Sequence, residues 1–498
     1  MYVLVFCPLM KNISASQNDS FLQVHAVAQP VDYFRRLIDT NMLKLLVDQT
    51  NLYYAQCTGK GLGTTVAEIE AMIGLYFRMG VVQIPHVRGY WESDTRYPPV
   101  ADVMPRNRFE TLMRHLHIVN NCEVSEDEKK SRLWKINPWI SLFHNNCLKV
   151  APEECHAVDE MMIPFRGRSI LRQHIHGKPN PWGFKVWVRA GKSGYLYDLE
   201  VYEGASAASQ IVTHSLSSDI VIRLSSSLAS DRGYKLAADN FFTSEVILRE
   251  LLQRGINFVG AVRSNRLRRC PLKDEESLKK ERRGSYDMCV RKDEMVALRW
   301  IDCRCVTLLS TYVAAEPLRD VRRYDKKMKR FIQVSRPAIV GEYNSLMEGV
   351  DIQDSLCARY KYSIRSTRWY MYILYHTFTI AMVNAWLCYK RDCKKLGEKP
   401  SQLRVFQTSV ASSLIYGSKA VRFRVERSPS TTPPCKVRRL AKVPVAVSTD
   451  GVGHLPEVLE KRRRCKVCSA LSFISCLKCD VSLCLNKDRN CYAAYHQI

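Results

Sequence analysis

Apolar residues recur at helical spacing through the first third of the chain, and the period changes near Cys155. From about Phe21 to Cys147 the pattern predicts helices. The stretch "TTVAEIEAMIGLYFRMG" offers Thr65 and Glu68 as a capping box ahead of apolar positions three and four apart, and Phe109, Leu112, Met113 and Leu116 repeat that stripe. His115 and His117, two residues apart on a helix, point in different directions, so they are read as a surface and a core histidine rather than a ligand pair. Beyond Cys155, "FKVWVRAGKSGYLYDLEVY" predicts two strands joined by the turn-forming "GKSG". "YKLAAD" predicts a short buried strand, "SEVILRELLQRG" a helix and "NFVGAVR" another strand. Strands and helices in this order imply an α/β layer, with an acidic residue at a strand's C-terminal end.

Residues 264–296 are highly charged and without period, so they are read as an insertion, after which "ALRWIDCRCVTLLSTY" returns to strand character. Helices resume at Leu346 and run to about Tyr416. Between Lys419 and Lys442 stand eight Lys/Arg, one Glu and three prolines, the composition of a solvated linker. The expected organisation is an extension (1–20), a helical part (21–152), an α/β domain (153–356), a second helical part (357–416), a basic linker (417–453) and a cysteine-rich tail (454–498). Trp369 to Tyr389, 21 residues without a formal charge, is long enough to cross a bilayer. It holds His376, Asn384 and four tyrosines and is flanked by basic residues at both ends, so it is expected to be a buried helix, with no membrane partner.

Charge changes the picture next. The chain has 75 Lys+Arg against 49 Asp+Glu and a pI near 9.4, which makes a polyanion the default partner, nucleic acid first and an acidic membrane surface second. The apolar "MYVLVFCPLM" lacks a basic n-region and a clear cleavage site, so an intracellular protein is expected. Thirteen of the nineteen cysteines are scattered from Cys7 to Cys435, as for reduced thiols; six crowd into the last 34 residues.

That crowding follows C-x2-C-x7-C-x2-C-x4-C-x6-C-x4-H, using Cys465, Cys468, Cys476, Cys479, Cys484, Cys491 and His496. Two CxxC knuckles with further Cys and His in so short a segment point to structural Zn²⁺ rather than disulfides. Seven ligands leave one vacancy for two tetrahedral ions, and His454 in "GHLPE" is the candidate for the eighth. "KRRRCK" at the entrance, with Lys461, Arg462, Arg463 and Arg464, is a phosphate contact, a nuclear import signal or a solvated charge run.

Acidic residues in a basic chain stand out. Asp159 in "AVDEMM" and Asp239 in "LAADNFFTS" interrupt or end apolar strands, where a carboxylate is costly unless it meets a cation, a metal or strong donors. Asp351 in "MEGVDIQD" is expected to open a helix after Gly349, with Asp354 three residues on and on nearly the same face. Three convergent carboxylates suit two Mg²⁺ ions about 3.5–4 Å apart acting on a phosphodiester. Taken singly, Asp159 and Asp239 are also what turns and caps contain.

"DEMMIPFRGR", "GKPNPWGFKVWV", "GYLYDLEVYEG", "ADNFFTS", "GAVRSNR", "LLST" and "EYNSLMEGVDIQD" occur in this order, and from about Phe21 to the C-terminus the chain resembles the piggyBac family of DNA transposases and the domesticated proteins derived from it. The resemblance implies an α/β fold with a ribonuclease H-like catalytic core carrying an insertion, a split helical domain for DNA binding and dimerisation around it, and a cross-braced zinc tail that recognises transposon-end DNA. It implies Asp159, Asp239 and Asp351 as the catalytic, Mg²⁺-holding triad, with Asp354 as a further acidic position. Arg166 and Arg168 on the following turn, with Lys178 and Lys185 of "KPNPWGFK", become candidates to meet phosphates. Trp182 is read as a stacking platform for an unpaired base or as core. Glu348 is a departure from the family, which usually has Gly or Asn there. The implied activity is cut-and-paste transposition through hairpin ends at TTAA targets, by a nuclear homodimer on double-stranded DNA; the alternative is a host protein that keeps the fold to bind DNA or chromatin.

Overall fold

The computed structural model describes residues 2–3, 26–204, 215–267, 270–291, 294–417, 448–450 and 453–497. The expected extension and basic linker fall almost wholly outside these. Strand β1 (Tyr2–Val3) is followed by helices α1 (Pro30–Leu37), α2 (Thr40–Thr58), α3 (Val66–Val81), α4 (Pro98–Ala101), α5 (Arg106–His115), α6 (Glu126–Lys129) and α7 (Asn137–Leu148). Next come β2 (Cys155–Pro164), β3 (Arg172–His174), β4 (Trp182–Gly191) and β5 (Leu196–Val201), then α8 (Leu216–Leu224), β6 (Lys235–Ala238), α9 (Glu245–Gln253) and β7 (Asn257–Ala261). The following segment carries α10 (Glu275–Lys279), β8 (Tyr286–Arg291), β9 (Val296–Ile301) and β10 (Cys305–Ser310), then a separate ribbon of β11 (Arg319–Asp325) and β12 (Arg330–Arg336). Helices α11 (Ala338–Arg359), α12 (Trp369–Lys395) and α13 (Leu403–Tyr416) precede the tail of β13 (Pro456–Arg464), β14 (Leu471–Cys476), β15 (Val481–Ser482) and α14 (Cys491–His496).

The chain divides into two compact units. One contains the main sheet, in the order β1-β8-β9-β10-β7-β6-β2-β4-β3 with β5 also beside β4. At its centre β2, β6 and β7 run parallel, while β4 lies antiparallel to β2 and β5 antiparallel to β4. The central strands are short unbroken apolar runs because both faces are covered. Leu236, Ala238 and Phe258 meet α8 and α9 through Ile220, Val221, Ile247 and Leu251, while the intervening Ala237 and Val259 meet α11 through Ile339, Val340 and Leu346. Period-two alternation thus assigns Val158 to the α8/α9 face and the next residue, Asp159, to the α11 face.

Two expectations change here, and a third, the buried apolar helix, holds. Residues 264–296 are not without regular structure: they contain α10 and β8, and β8 joins the main sheet beside β9. Their charges sit on a strand whose positions are mostly half-buried, so no strict alternation reaches the sequence. Helix α11 starts at Ala338, directly after Pro337, not at Gly349. Gly349 is buried in mid-helix because a Cβ there would lie 2.5 Å from the Gly191 carbonyl oxygen, so close backbone approach, not helix breaking, requires the glycine. The apolar α12 is long enough to span a bilayer, but 89% of its most apolar window is buried inside the protein. Its polar residues are part of that packing: Asn384 accepts from the Leu196 N–H at 2.9 Å and donates to the Leu196 carbonyl at 2.8 Å.

The other unit contains α2, α3, α5, α13 and the tail. Thr65 caps α3 by accepting from the Glu68 N–H, while the Glu68 carboxylate takes Thr64 Oγ1 at 2.8 Å and Arg108 at 2.6 and 2.7 Å. Gln407 on α13 donates to the Phe77 carbonyl at 2.9 Å. His117 is buried and stacked on Tyr53 with centroids 4.0 Å apart, and His115 Nδ1 lies 2.8 Å from the Thr111 carbonyl oxygen, so the pair serves packing. Gly59 ends α2 with φ +70, and a Cβ there would lie 1.8 Å from the Lys478 carbonyl oxygen, so the tail is seated against the C-cap of α2.

Candidate active site and metal-ligand clusters

Strand register brings the first two carboxylates together. Val158 on β2 is paired in parallel with Ala238, the last residue of β6; β2 continues to Asp159 on the face covered by α11, and Asp239 directly follows the end of β6. Adjacent strands are about 4.8 Å apart, so the two side chains are immediate neighbours. Burial pushes the Asp159 carboxyl up to about 7; Glu160 and Asp239 act in the same direction, and Lys178 and the Glu160 N–H, which donates at 2.8 Å, oppose it. A buried carboxylate beside another one is stable only with positive charge at hand.

Helix α11 supplies the other pair. Asp354 is half-buried and burial pushes it up to about 6, with Asp351 adding to the shift and Lys178 and Lys361 opposing it. Asp351 is exposed, and so is Glu348, one turn before it. Lys178 therefore acts on Asp159 and on Asp354. Its Nζ donates to the Glu160 carbonyl at 3.1 Å, and both it and Lys185 stand 3.9 Å from the Glu160 carboxylate. Arg166 and Arg168 are exposed in the loop after β2. Trp182 is not core: it is 45% exposed, with the Arg172 guanidinium 4.6 Å from its ring centre.

Two groups were not singled out in the sequence. Tyr343 faces the paired strand carboxylates: burial, then Asp239 and Asp159, push its phenol well up. It stands eleven residues before Asp354, three turns along α11 and hence on the same face, a relation visible only once the helix is known to start at Ala338. Lys361 lies behind Asp354, with Nζ 3.3 Å from His376 Nδ1, and His376 Nε2 is 3.2 Å from Met161 Sδ on β2.

In the tail, all eight expected ligands gather in two groups of four: Cys465, Cys468, Cys484 and Cys491 in one, His454, Cys476, Cys479 and His496 in the other, with the ligand atoms of each group within 4.8 Å of one another. The two sets interleave along the chain. Their supports were not foreseen: Asp450 meets His454 Nε2 at 3.0 Å and Lys478 Nζ at 2.6 Å, and the Ser448 carbonyl oxygen lies 2.6 Å from His496 Nδ1. This leaves His454 Nδ1 against Cys476 Sγ at 3.4 Å, and His496 Nε2 buried with no hydrogen-bond partner. An orphaned imidazole nitrogen facing two thiols and a second imidazole is what a four-coordinate metal satisfies. Lys461, Arg462, Arg463 and Arg464 end β13 and are exposed, with Arg462 4.8 Å from the Phe473 ring centre.

A family model described as Transposase IS4 matches residues 29–386. PiggyBac transposable element-derived protein 3 of Homo sapiens is 31% identical over 494 residues, which covers 98% of this chain and 79% of that protein. PiggyBac transposable element-derived protein 2 of Homo sapiens is 30% identical over 446 residues, 88% of this chain and 72% of that protein. A cryo-EM structure of a piggyBac transposase synaptic complex with hairpin DNA shares the fold, with a TM-score of 0.68 and 21% identity over 93% of this chain and 98% of that one. With the family model spanning most of the chain and the first relative aligned over 98% of it, this protein belongs to the piggyBac transposase family.

Proposed function

We propose that the chain is a DNA strand-cleaving and strand-joining transposase, or a transposase-derived protein that keeps that machinery. The observation that carries the reading is the parallel register Val158–Ala238, which sets Asp159 beside Asp239 beneath the helix bearing Asp351 and Asp354. The order β5-β4-β2-β6-β7, with only β4 antiparallel to the other four, supports a ribonuclease H-like core. Hard carboxylate oxygens without enough cations around them fit Mg²⁺, which would be held by Asp159, Asp239 and Asp351 and would neutralise charge on the attacking and leaving oxygens of a phosphodiester.

The chain's own residues do the rest. Lys178 offsets charge between the strand and helix carboxylates, Tyr343 excludes water above Asp159 and Asp239, and Arg166 and Arg168 are free to bind the phosphates of the strand being cut. The reaction is a series of in-line phosphoryl substitutions: water releases a 3′-hydroxyl, that hydroxyl attacks the opposite strand to form a hairpin end, and water reopens the hairpin so that the regenerated 3′-hydroxyl is joined at a TTAA target. The synaptic complex with hairpin DNA in the structural neighbour supports these steps here. The tail groups fit two Zn²⁺ ions, and Lys461 to Arg464 would contact the backbone of end DNA. Homodimerisation on double-stranded DNA and a nuclear site of action follow from the same reading.

The test is purified chain with cognate ends and Mg²⁺ beside Asp159→Asn and Asp351→Asn. Loss of cleavage in both is expected; cleavage that survives both substitutions removes the proposed site. Glu348, exposed one turn before Asp351, favours a second reading, a binding protein without strand transfer. Binding to end DNA with no cleavage by the unmodified chain would select it.

A further inference from the structure

The ribbon β11–β12 is separate from the main sheet, and its two faces differ. Registered pairs Val321–Val334 and Arg323–Ile332 belong to the inward face: Val334 is buried, Val321 and Ile332 pack on the α11-side core, and Arg323 meets Asp302 at 3.2 Å. Asp302 also binds Arg283, which in turn lies 3.9 Å from Asp325. The ribbon is thus fixed to the body through one face.

Its other face is open. The pairs Arg322–Gln333 and Tyr324–Phe331 point outward; Phe331 is 55% and Tyr324 49% exposed, and the Arg322 guanidinium lies 4.0 Å from the Phe331 ring centre. The turn Lys326–Lys329 is held by Asp325, whose Oδ1 accepts from the Lys327 and Met328 N–H groups at 2.8 and 3.0 Å, so the lysines project from a structured tip. Residues 318–336 carry eight Lys/Arg and two Asp; Asp320 shares the outward face with Arg322, while Lys326, Lys327 and Lys329 stand together in the turn. Among the described residues none of Arg322, Lys326, Lys327, Lys329 and Arg330 is in an ion pair.

Four cations within the five residues 326–330 at a structured tip repel one another unless a polyanion lies across them. Stacking on Phe331 leaves the edge of the Arg322 guanidinium available for bidentate contact with phosphate, and the lysines behave as point charges around it. The cations therefore concentrate at the turn, with Arg322 behind them on the outward face, and lysines on a turn contact phosphates rather than base edges. We infer that the tip of β11–β12, with Arg322 beside it, is a sequence-independent seat for the phosphate backbone of duplex DNA, distinct from the carboxylate site and from the tail. This rests on the DNA-processing reading above.

The experiment compares the full chain with Lys326→Ala/Lys327→Ala/Lys329→Ala and, separately, with Arg322→Gln, measuring affinity for a random 30-base-pair duplex over a salt series. Each phosphate contact contributes about 0.9 to the slope of log affinity against log salt. The expected result is a slope shallower by about 2 to 3 in the triple variant and by about 1 in Arg322→Gln, with thermal midpoints unchanged because the inward face is untouched. Arg322→Gln keeps the readout if the tip substitutions disturb the turn. Slopes equal to that of the unmodified chain overturn the seat while leaving the DNA reading standing. A chain with no duplex affinity at all overturns both. Loss of binding to phosphatidylserine vesicles with an unchanged DNA slope assigns the face to a membrane and also overturns the proposal.

Discussion

Lys178 Nζ donates to the backbone carbonyl of Glu160 at 3.1 Å, and from that position it counters the charge of Asp159 on β2 and of Asp354 on α11. A lysine so placed competes with any metal for the same carboxylates. Lys178→Met keeps the length of the side chain and removes the charge, which relieves roughly 1 kcal/mol or more of repulsion toward a divalent cation at an effective dielectric near 20. The half-saturating Mg²⁺ concentration for strand cleavage is expected to fall about fivefold, while the maximal rate falls because the charge that offsets phosphate is gone. A Mg²⁺ titration of cleavage checks this; an unchanged midpoint would place Lys178 outside the site.

Asn384 tests why a 27-residue apolar helix carries an amide at its centre. The side chain is fully buried and satisfies both the N–H and the carbonyl of Leu196. Asn384→Ala leaves both groups orphaned and opens a small void, at a cost of about 2–4 kcal/mol. The sheet-bearing unit should melt several degrees lower in a thermal scan, and Asn384→Leu should be no better, since volume is not what the site lacks.

How much of this was legible before the structure depends on what each residue type reveals locally. Asp159 and Asp239 could be read from sequence because a carboxylate at the end of an apolar run is a local anomaly, and the tail could be read because cysteine spacing is itself the geometry of a metal site. Tyr343 could not: it became visible only after α11 was extended back to Ala338, and Gly349, taken as the break before the helix, had concealed that continuity. Strand β8 escaped because its half-buried positions blur the alternation. Trp182 shows the opposite limit, since a tryptophan beside lysines reads equally as core or surface until its 45% exposure is seen.

His156 makes stability depend on pH. It is fully buried on β2, and burial, then the Arg189 guanidinium, whose Nη1 is 3.3 Å from His156 Nδ1, hold it down to about 3. The unfolded chain binds a proton at His156 below about pH 6.5, while the folded chain stays neutral there until about 3, so stability present above 6.5 is lost as pH falls through that window. Between pH 7 and pH 5 this amounts to about 2 kcal/mol. The carboxyls raised at Asp159 and Asp354 work in the opposite sense, so the informative comparison is with His156→Asn. The variant should lose distinctly less of its thermal midpoint between the two pH values than the unmodified chain does; equal losses would mean that His156 does not titrate differently on unfolding.

The interleaved order of the tail ligands predicts unequal outcomes for two substitutions. His454 comes before Cys465 and Cys468, Cys476 and Cys479 lie between those and Cys484 and Cys491, and His496 comes last, so each set of ligands closes a loop that contains part of the other. Removing a ligand should therefore release both ions: Cys476→Ser is expected to reduce zinc from two per chain to well below one and to open the tail to protease. Asp450→Asn acts more mildly. It removes the carboxylate that orients His454 and takes the charged contact with Asp450 away from Lys478, which lowers affinity at that site by roughly ten- to a hundredfold, while the four-cysteine site keeps its ion. Metal content after dialysis against a mild chelator should then read two, about one and near zero for the unmodified chain, Asp450→Asn and Cys476→Ser. Because the tail is seated on the C-cap of α2 at Gly59, Cys476→Ser should also increase hydrogen exchange at the last turn of that helix, whereas Asp450→Asn should leave it protected. One ion retained by Cys476→Ser would mean that the two sites fold independently and that the interleaving carries no cooperativity.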